Sequence, residues 1–406
     1  MFDFFKESFD LKLFLIAVAL GILGAVVVFS ATFNSGLHEY FVRDVVWQVG
    51  GMIIALVIMF LSNRYLQSSA YFIYGITILL LIFILVAGKR VAGSTSWLGF
   101  FGIGGQPSEF AKVATILALS KFLSEKGNDL SELQVVAMST AIVGFPMLLT
   151  LLQPDLGTSI VYMAILFPIL FWAGLQPVIV VALLAPVAVV IAEFTGTVPM
   201  IITVIVFGIL FLVLSQRKLF AVTLSFVIVS FGLFMEYFYK KLLAPHQQKR
   251  IQVFLNPNID PQGAGYNALQ ARVAIGSGGL FGKGYLHGAQ TQLRYVPAQW
   301  TDFIFTVIGE EFGFVGGILT LLLFASLLFR GVRIAELVKT KFASLSAIGI
   351  VSVLLFHVFI NIGMTVNLAP IIGIPLPFVS YGGSSILSDW IMVGILLNFY
   401  ANRKEH

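Results

Sequence analysis

LKLFLIAVALGILGAVVVFS, residues 11–30, carries one charge, Lys12, in an otherwise apolar run. As a helix rising 1.5 Å per residue, it is long enough to cross a hydrocarbon core about 30 Å thick. No small-residue cleavage site follows it, so it reads as a retained first helix and not as a secretory leader. The rest of the chain repeats the theme. Of 406 residues, 59% are hydrophobic and 11% charged, where a soluble domain carries about 25% charged residues. The polar side chains needed to cover a water-facing surface are missing. Apolar segments of spanning length lie near 11–32, 45–62, 70–88, 107–124, 133–152, 157–174, 177–195, 199–215, 219–239, 303–329, 342–366 and 384–401, twelve in all. In lipid each must be helical, because only a helix satisfies its own backbone groups. The expectation is an all-α polytopic integral membrane protein. It forms one membrane domain over 1–406, with one large extracytoplasmic loop over 240–301.

Lysine and arginine orient these spans. With the N-terminus cytoplasmic, thirteen of them, from Lys6 and Lys12 to Arg403 and Lys404, fall inside, while the short outer loops hold only Arg43, Lys89 and Arg90. That asymmetry is the positive-inside signature; it places both termini in the cytoplasm and the long loop outside. It also accounts for the net charge of +5 without nucleic acid, since the basic residues are scattered among loops. Cysteine is absent, which excludes disulfides and thiolate metal sites. The five histidines are dispersed, so neither a metal site nor Ser-His-Asp chemistry has support.

Charges inside a bilayer cost at least a few kcal/mol each and need a reason. The carboxylates within or at the ends of spans are Glu109, Asp155, Glu193, Glu236, Asp302, Glu310, Glu311 and Asp389. Glu193 and Glu236 sit near outer span ends, where facing water suffices. Asp155 falls in a turn between spans and reads as structural. Asp302 follows the loop segment LRYVPAQW and opens the strongly apolar DFIFTVIGEEFGF. Thr301 or Asp302 could cap that helix; equally, a carboxylate at the outer boundary beneath a loop could serve as a general base. Spacing alone leaves both open. Glu310 and Glu311 are adjacent, so one helix face cannot hide both, and at least one needs a basic or polar partner. Glu109 and Lys112 in QPSEFAK share a helix face, as an intrahelical pair or as the lining of an outward cavity. GSGGLFGKG, residues 276–284, fails the phosphate-loop test, since Gly284 follows Lys283 where Ser or Thr is required. A flexible turn is the simpler account, although Lys283 and backbone donors could meet a phosphate.

Taken together, QPSEFAK (106–112), QPDLGT (153–158), FLNPNIDPQGAGYNALQARVAIGSGGLFGKGYLHGAQTQL (254–293), TDFIFTVIGEE (301–311), NIGM (361–364) and GIPLPFVSYGGSS (373–385) resemble the SEDS family. Its name stands for shape, elongation, division and sporulation, and its members are multi-spanning peptidoglycan glycosyltransferases. The resemblance covers most of the chain from residue 106 onward, and GAQTQL with GIPLPFVSYGG is closer to the elongation branch than to the division branch. Three departures stand out. A hairpin near 198–239 adds two spans to the usual ten, which preserves the sidedness of the loop. Pro297-Ala298-Gln299-Trp300 replaces a common Pro-Glu-x-His. Ser96 stands before Trp97 where arginine is common.

The resemblance implies polymerisation of lipid II, the undecaprenyl-pyrophosphate-linked disaccharide-pentapeptide, with inversion at the donor sugar, in a bacterial cytoplasmic membrane. It makes Asp302 the general base acting at the extracytoplasmic face. Arg250 and Lys283 are the first choices for holding the departing pyrophosphate, and Glu109 and Lys112 would shape the cavity. No cofactor is certain; a divalent cation, magnesium or manganese, could share the pyrophosphate, but no ligand cluster establishes one. The implied partners are a class B penicillin-binding protein, other membrane proteins of the elongation complex and membrane lipid. The rivals are a lipid II flippase, which fits polytopic composition and intramembrane carboxylates equally well, and a non-catalytic scaffold for the transpeptidase. Motifs concentrated at one face count against the flippase, and the scaffold would not require a carboxylate at 302.

Overall fold

The computed structural model describes residues 8–91, 94–100, 103–130, 132–215, 218, 222–230, 232 and 265–404. Two compact units emerge: Met1–Ile169 with Asn267–His406, and Leu170–Tyr266. In chain order the helices are α1 (Leu11–Thr32), α2 (His38–Met59), α3 (Asn63–Ala87), α4 (Pro107–Ser124), α5 (Leu133–Leu152), α6 (Leu156–Trp172), α7 (Pro177–Thr195) and α8 (Thr197–Leu214). Further along come α9 (Tyr266–Gly278) and α10 (Ala289–Gln292), both within the stretch 240–301 expected as a loop, and then α11 (Ile304–Glu311), α12 (Gly313–Leu337), α13 (Lys341–Thr365) and α14 (Gly383–Ala401). Between α3 and α4 the glycine-rich stretch 89–105 pairs with itself as three short antiparallel strands, β1 (Lys89–Val91), β2 (Ser94–Phe100) and β3 (Ile103–Gly105).

Seven of these helices (α1, α2, α3, α5, α12, α13 and α14) are long and apolar enough to cross a membrane, and α6 with parts of α7 and α8 are shorter apolar helices. This is a polytopic membrane protein. Two expected spans need correction. The second begins at His38, seven residues before the apolar run, because an exposed Glu39–Arg43 pair at 3.2 Å supports a polar first turn. The span expected at 303–329 is two helices broken at Phe312 and Gly313, the second running on to Leu337. The span expected at 219–239 is helical over 222–230, with most of the remainder outside the described residues, as are Glu236 and Arg250.

In the larger unit the burial pattern is that of a protein solvated by lipid. α3 and α12 present large apolar side chains outward, such as Phe72, Leu79, Val86, Leu322 and Phe329, while α4, α13 and α14 are buried over most of their length. The buried helices hold the polar groups: Glu109, Lys112, His357, Asn361 and Asp389 all lie inside. That interior position is why α4 is not among the seven apolar helices; no face of it needs to satisfy lipid. α2 and α14 pack along most of their length through small residues. A side chain at Gly51 would strike Trp390, and one at Gly394 would strike the Ala55 backbone at 2.7 Å. The smaller unit is α7, α8 and the helical residues 222–230 around Val178, Ala185, Val189, Met200, Phe211 and Ile228.

Candidate active site

Asp302 sits in a tight turn written by QWTDF. Ala298 takes a positive φ of 52°, and its carbonyl accepts from the Thr301 N–H (3.1 Å), the Phe303 N–H (3.3 Å) and the Thr301 hydroxyl (3.2 Å). α11 then starts at Ile304 with Phe303 at the cap position and no side-chain cap. The capping alternative for Thr301 or Asp302 is therefore wrong: the threonine hydroxyl is spent within the turn. No described residue donates a hydrogen bond to the Asp302 carboxylate. Withdrawal from water without that compensation pushes its pKa from 3.8 up to about 6. Donors on neighbouring segments hold the carbonyls of the turn in place. Asn361 Nδ2 donates to the Asp302 carbonyl (2.9 Å), Ser380 Oγ to that of Thr301 (2.6 Å), and the Tyr381 N–H to that of Trp300 (2.9 Å).

The segment GIPLPFVSYG, 373–382, lies over this turn. Gly373 has φ +70°, and a Cβ there would stand 3.3 Å from Asp302 Oδ2, so both conformation and space call for glycine. Three side chains from other helices and one of its own hold the segment. Asn361 Nδ2 also reaches the Ile374 carbonyl (2.7 Å), and Ser380 Oγ accepts from the Leu376 N–H (2.8 Å). Gln48 Nε2 donates to the Phe378 carbonyl (2.6 Å), and Asp389 Oδ2 accepts from the Phe378 N–H (3.0 Å). Trp390 Nε1 in turn donates to Gln48 Oε1 (2.9 Å). Motifs scattered over 330 residues of sequence thus meet in one place.

Glu109 and Lys112 do form the intrahelical pair, at 2.8 Å, with side chains 7% and 1% exposed. Pro107 in the first turn of α4 suits a helix start, where its missing N–H costs nothing. The lysine does not open outward. Its Nζ lies 3.0 Å from His357 Nε2 on α13, and the Ser388 hydroxyl of α14 donates to the Glu109 carbonyl. Asp389, on the same helix as Ser388, is also buried. Asp155 accepts from the Thr158 N–H (3.1 Å), the Thr158 hydroxyl (2.9 Å) and Gln106 Nε2 (2.6 Å), tying the start of α6 to the residue before α4.

The glycine run is neither a phosphate loop nor a flexible turn. It docks backbone to backbone against the α11–α12 break. The Lys283 and Gly284 N–H groups donate to the carbonyls of Glu310 and Glu311 (3.0 and 3.1 Å). The Phe314 and Val315 N–H groups donate to those of Gly279 and Leu280 (2.9 and 3.0 Å). A helix broken at membrane depth exposes such orphan groups, and here another stretch of chain satisfies them. The glycines permit the approach: a side chain at Gly278, Gly282 or Gly313 would collide with facing backbone.

The two glutamates of α11 are both buried and both partnered. Glu310 accepts from Lys283 Nζ (2.9 Å), from the Gln290 and Thr291 N–H groups (2.9 Å each) and from the Thr291 hydroxyl (2.8 Å), so it caps α10. Glu311 accepts from the Ser30 hydroxyl of α1 (2.6 Å) and from Gln292 Nε2 (3.3 Å). Of the residues singled out by sequence, Asp302, Lys283, Glu109 and Lys112 all lie in the larger unit, and Lys283 is paired with Glu310. Sequence reasoning missed His357 and Gln48, which carry no local motif; Asn361 lay within NIGM without an assigned task.

The chain matches the FtsW/RodA/SpoVE family model, described as cell cycle protein, over residues 10–195 and 175–405. It is 33% identical to the peptidoglycan glycosyltransferase RodA of Treponema pallidum, covering 98% of each chain. It is also 33% identical to the peptidoglycan glycosyltransferase MrdB of Escherichia coli K12, over 98% of this chain and 95% of that one. Stage V sporulation protein E of Bacillus subtilis is 35% identical over 97% of each. Among solved structures, a chain of a peptidoglycan synthase complex that coordinates polymerisation and crosslinking superposes with a TM-score of 0.76 at 26% identity, covering 98% of this chain and 99% of that one. The crystal structure of Thermus thermophilus RodA, with the same identity and coverage, superposes at 0.65. The chain is a member of the FtsW/RodA/SpoVE family of polytopic membrane proteins.

Proposed function

We propose that this protein is a peptidoglycan glycosyltransferase that polymerises lipid II into β-1,4 glycan strands during cell-wall elongation, with Asp302 as its general base. The observation that carries the reading is the state of that carboxylate: uncapped, half-buried, and brought by desolvation to a pKa of about 6. A base that is ionised at neutral pH yet close to it in pKa takes up a proton most effectively.

In the proposed step Asp302 accepts the proton of the acceptor sugar's 4-hydroxyl as that oxygen attacks C1 of the donor sugar. The bond from C1 to the pyrophosphate oxygen breaks, and the lipid pyrophosphate leaves on the opposite face with inversion. General-base assistance of this kind is worth about 10²–10⁴-fold in rate. Asn361, Ser380 and the Tyr381 N–H keep the carboxylate in one place by holding the carbonyls around it. Lys283 is paired with Glu310 and partly exposed, which leaves two of its three donors for a pyrophosphate; Arg250 would share that charge. Glu109 and Lys112 act below the site, through the helices that carry it. Grooves between helices would hold the lipid tails. The active face is extracytoplasmic with both termini inside, and a class B penicillin-binding protein crosslinks the product. The relatives' names and the synthase-complex neighbour support this reading.

The test is glycan polymerisation from purified lipid II by the detergent-solubilised protein and by Asp302→Asn, each with and without its penicillin-binding partner. Polymer from the wild type and none from the folded variant is expected. Equal polymer from both would remove Asp302 as the base, and none from either with the partner would favour a flippase or a scaffold.

A further inference from the structure

His357 is buried in the middle of α13, and the mechanism above gives it no task. Its surroundings define its chemical state. Lys112 Nζ faces its Nε2 at 3.0 Å while also donating to Glu109 Oε2 at 2.8 Å. An ammonium has three donors and no acceptor, so Nε2 must present its lone pair. The imidazole is therefore neutral, with its proton on Nδ1, and that side of the ring faces the Pro375 carbonyl. Both ring nitrogens are engaged, one on α4 and one on the segment over the candidate base.

One turn further along the same face of α13, Asn361 donates to the carbonyls of Asp302 and Ile374. Residues four apart on a helix lie one above the other. α13 thus offers two successive rungs, His357 to Pro375 and Asn361 to Ile374 and Asp302. The next residue outward, Gly373, lies against the Asp302 carboxylate. We propose that His357 is a positioning residue for Asp302: as the Nδ1–H tautomer it ties the Glu109–Lys112 pair to the 373–375 segment and so sets where the carboxylate stands. This rests on the reading of Asp302 as the base. A histidine that only filled space would need neither contact.

Two substitutions in the full-length protein separate these roles. His357→Leu keeps the bulk and loses both contacts. His357→Gln can accept from Lys112 through Oε1 and donate to Pro375 through Nε2. With lipid II as substrate, His357→Leu is expected to lose about 10²-fold in kcat with little change in KM, the cost of misplacing a reacting group by about 1 Å. His357→Gln is expected to recover most of it. A folded Leu variant with wild-type kcat overturns the proposal, as does a Gln variant no better than Leu. A readout independent of activity uses protein carrying nitrogen-15 histidine. One imidazole with a protonated Nδ1 and a bare Nε2 should be present in the wild type and absent from His357→Gln. An imidazolium or an Nε2–H ring at that position overturns the bridge even if His357→Leu fails to fold. A wild type that makes no polymer even with its penicillin-binding partner overturns the assignment of Asp302 and the positioning role with it, while the nitrogen spectrum still decides whether the bridge exists.

Discussion

Asp302 is costly to the fold in the form that would work. Its pKa is raised from 3.8 to about 6 by burial, so the folded protein binds that proton more tightly than the unfolded chain does. The sign follows: ionised Asp302 destabilises the fold in full above about pH 6, the penalty shrinks between pH 6 and 3.8, and it vanishes below. Asp302→Asn should therefore melt a few degrees higher than the wild type at pH 8, with the gap closing towards pH 4. A variant less stable at pH 8 would show that the carboxylate has a stabilising partner. The same shift gives activity an acid limb. kcat/KM for polymerisation is expected to fall about tenfold per pH unit below pH 6, and a flat profile down to pH 5 would exclude Asp302 as the titrating base. Glu310 is the opposite case, a carboxylate with four donors around it. Glu310→Gln should destabilise more than Lys283→Ala, because it weakens the acceptor of all four donors, whereas Lys283→Ala removes one donor of the four and leaves the cap of α10 in place. Thermal melts of the two variants give the order.

Among the elements, the break between α11 and α12 departs furthest from the sequence pattern. An uninterrupted apolar stretch would be expected to make one helix, and the sequence reads that way. What divides it is the docking of 278–284, which supplies partners for two carbonyls on one side of the break and two N–H groups on the other. Gly282 has φ +81°, and a Cβ there would overlap the Glu311 carbonyl. Gly282→Ala is expected to cost at least about 2 kcal/mol, from the left-handed backbone and the collision together. It should show as a lowered melting temperature and poor monodispersity in detergent. Gly276→Ala, where nothing lies within 4 Å, is the control and should behave as wild type. Equal behaviour of the two would mean that the docking does not hold the break.

For the whole molecule, sidedness is the property that composition predicts and that labelling can test. The chain has no cysteine, so single cysteines can be introduced without background. Leu280→Cys, 65% exposed beside the glycine run, should react with a membrane-impermeant maleimide in intact cells. Lys126→Cys, in the turn between α4 and α5, should react only after permeabilisation. The reverse pattern would invert the topology and remove Asp302 from the outer face.

The membrane class and the near-positions of most of the spans were legible in the sequence. Hydrophobic runs and lone charges are local properties, and the cost of placing charge in lipid makes each one conspicuous. Only the tertiary structure decided how those charges are used. Spacing left capping and catalysis equal at Asp302, and the turn around Ala298 removed capping. The glycine run looked like a turn because its partner, the α11–α12 break, is distant in sequence and its contacts are backbone to backbone, which side-chain patterns do not record. His357 was invisible for a similar reason. Its meaning comes from Lys112, 245 residues away, and from a carbonyl on a third segment, and such a bridge exists only once the helices have packed.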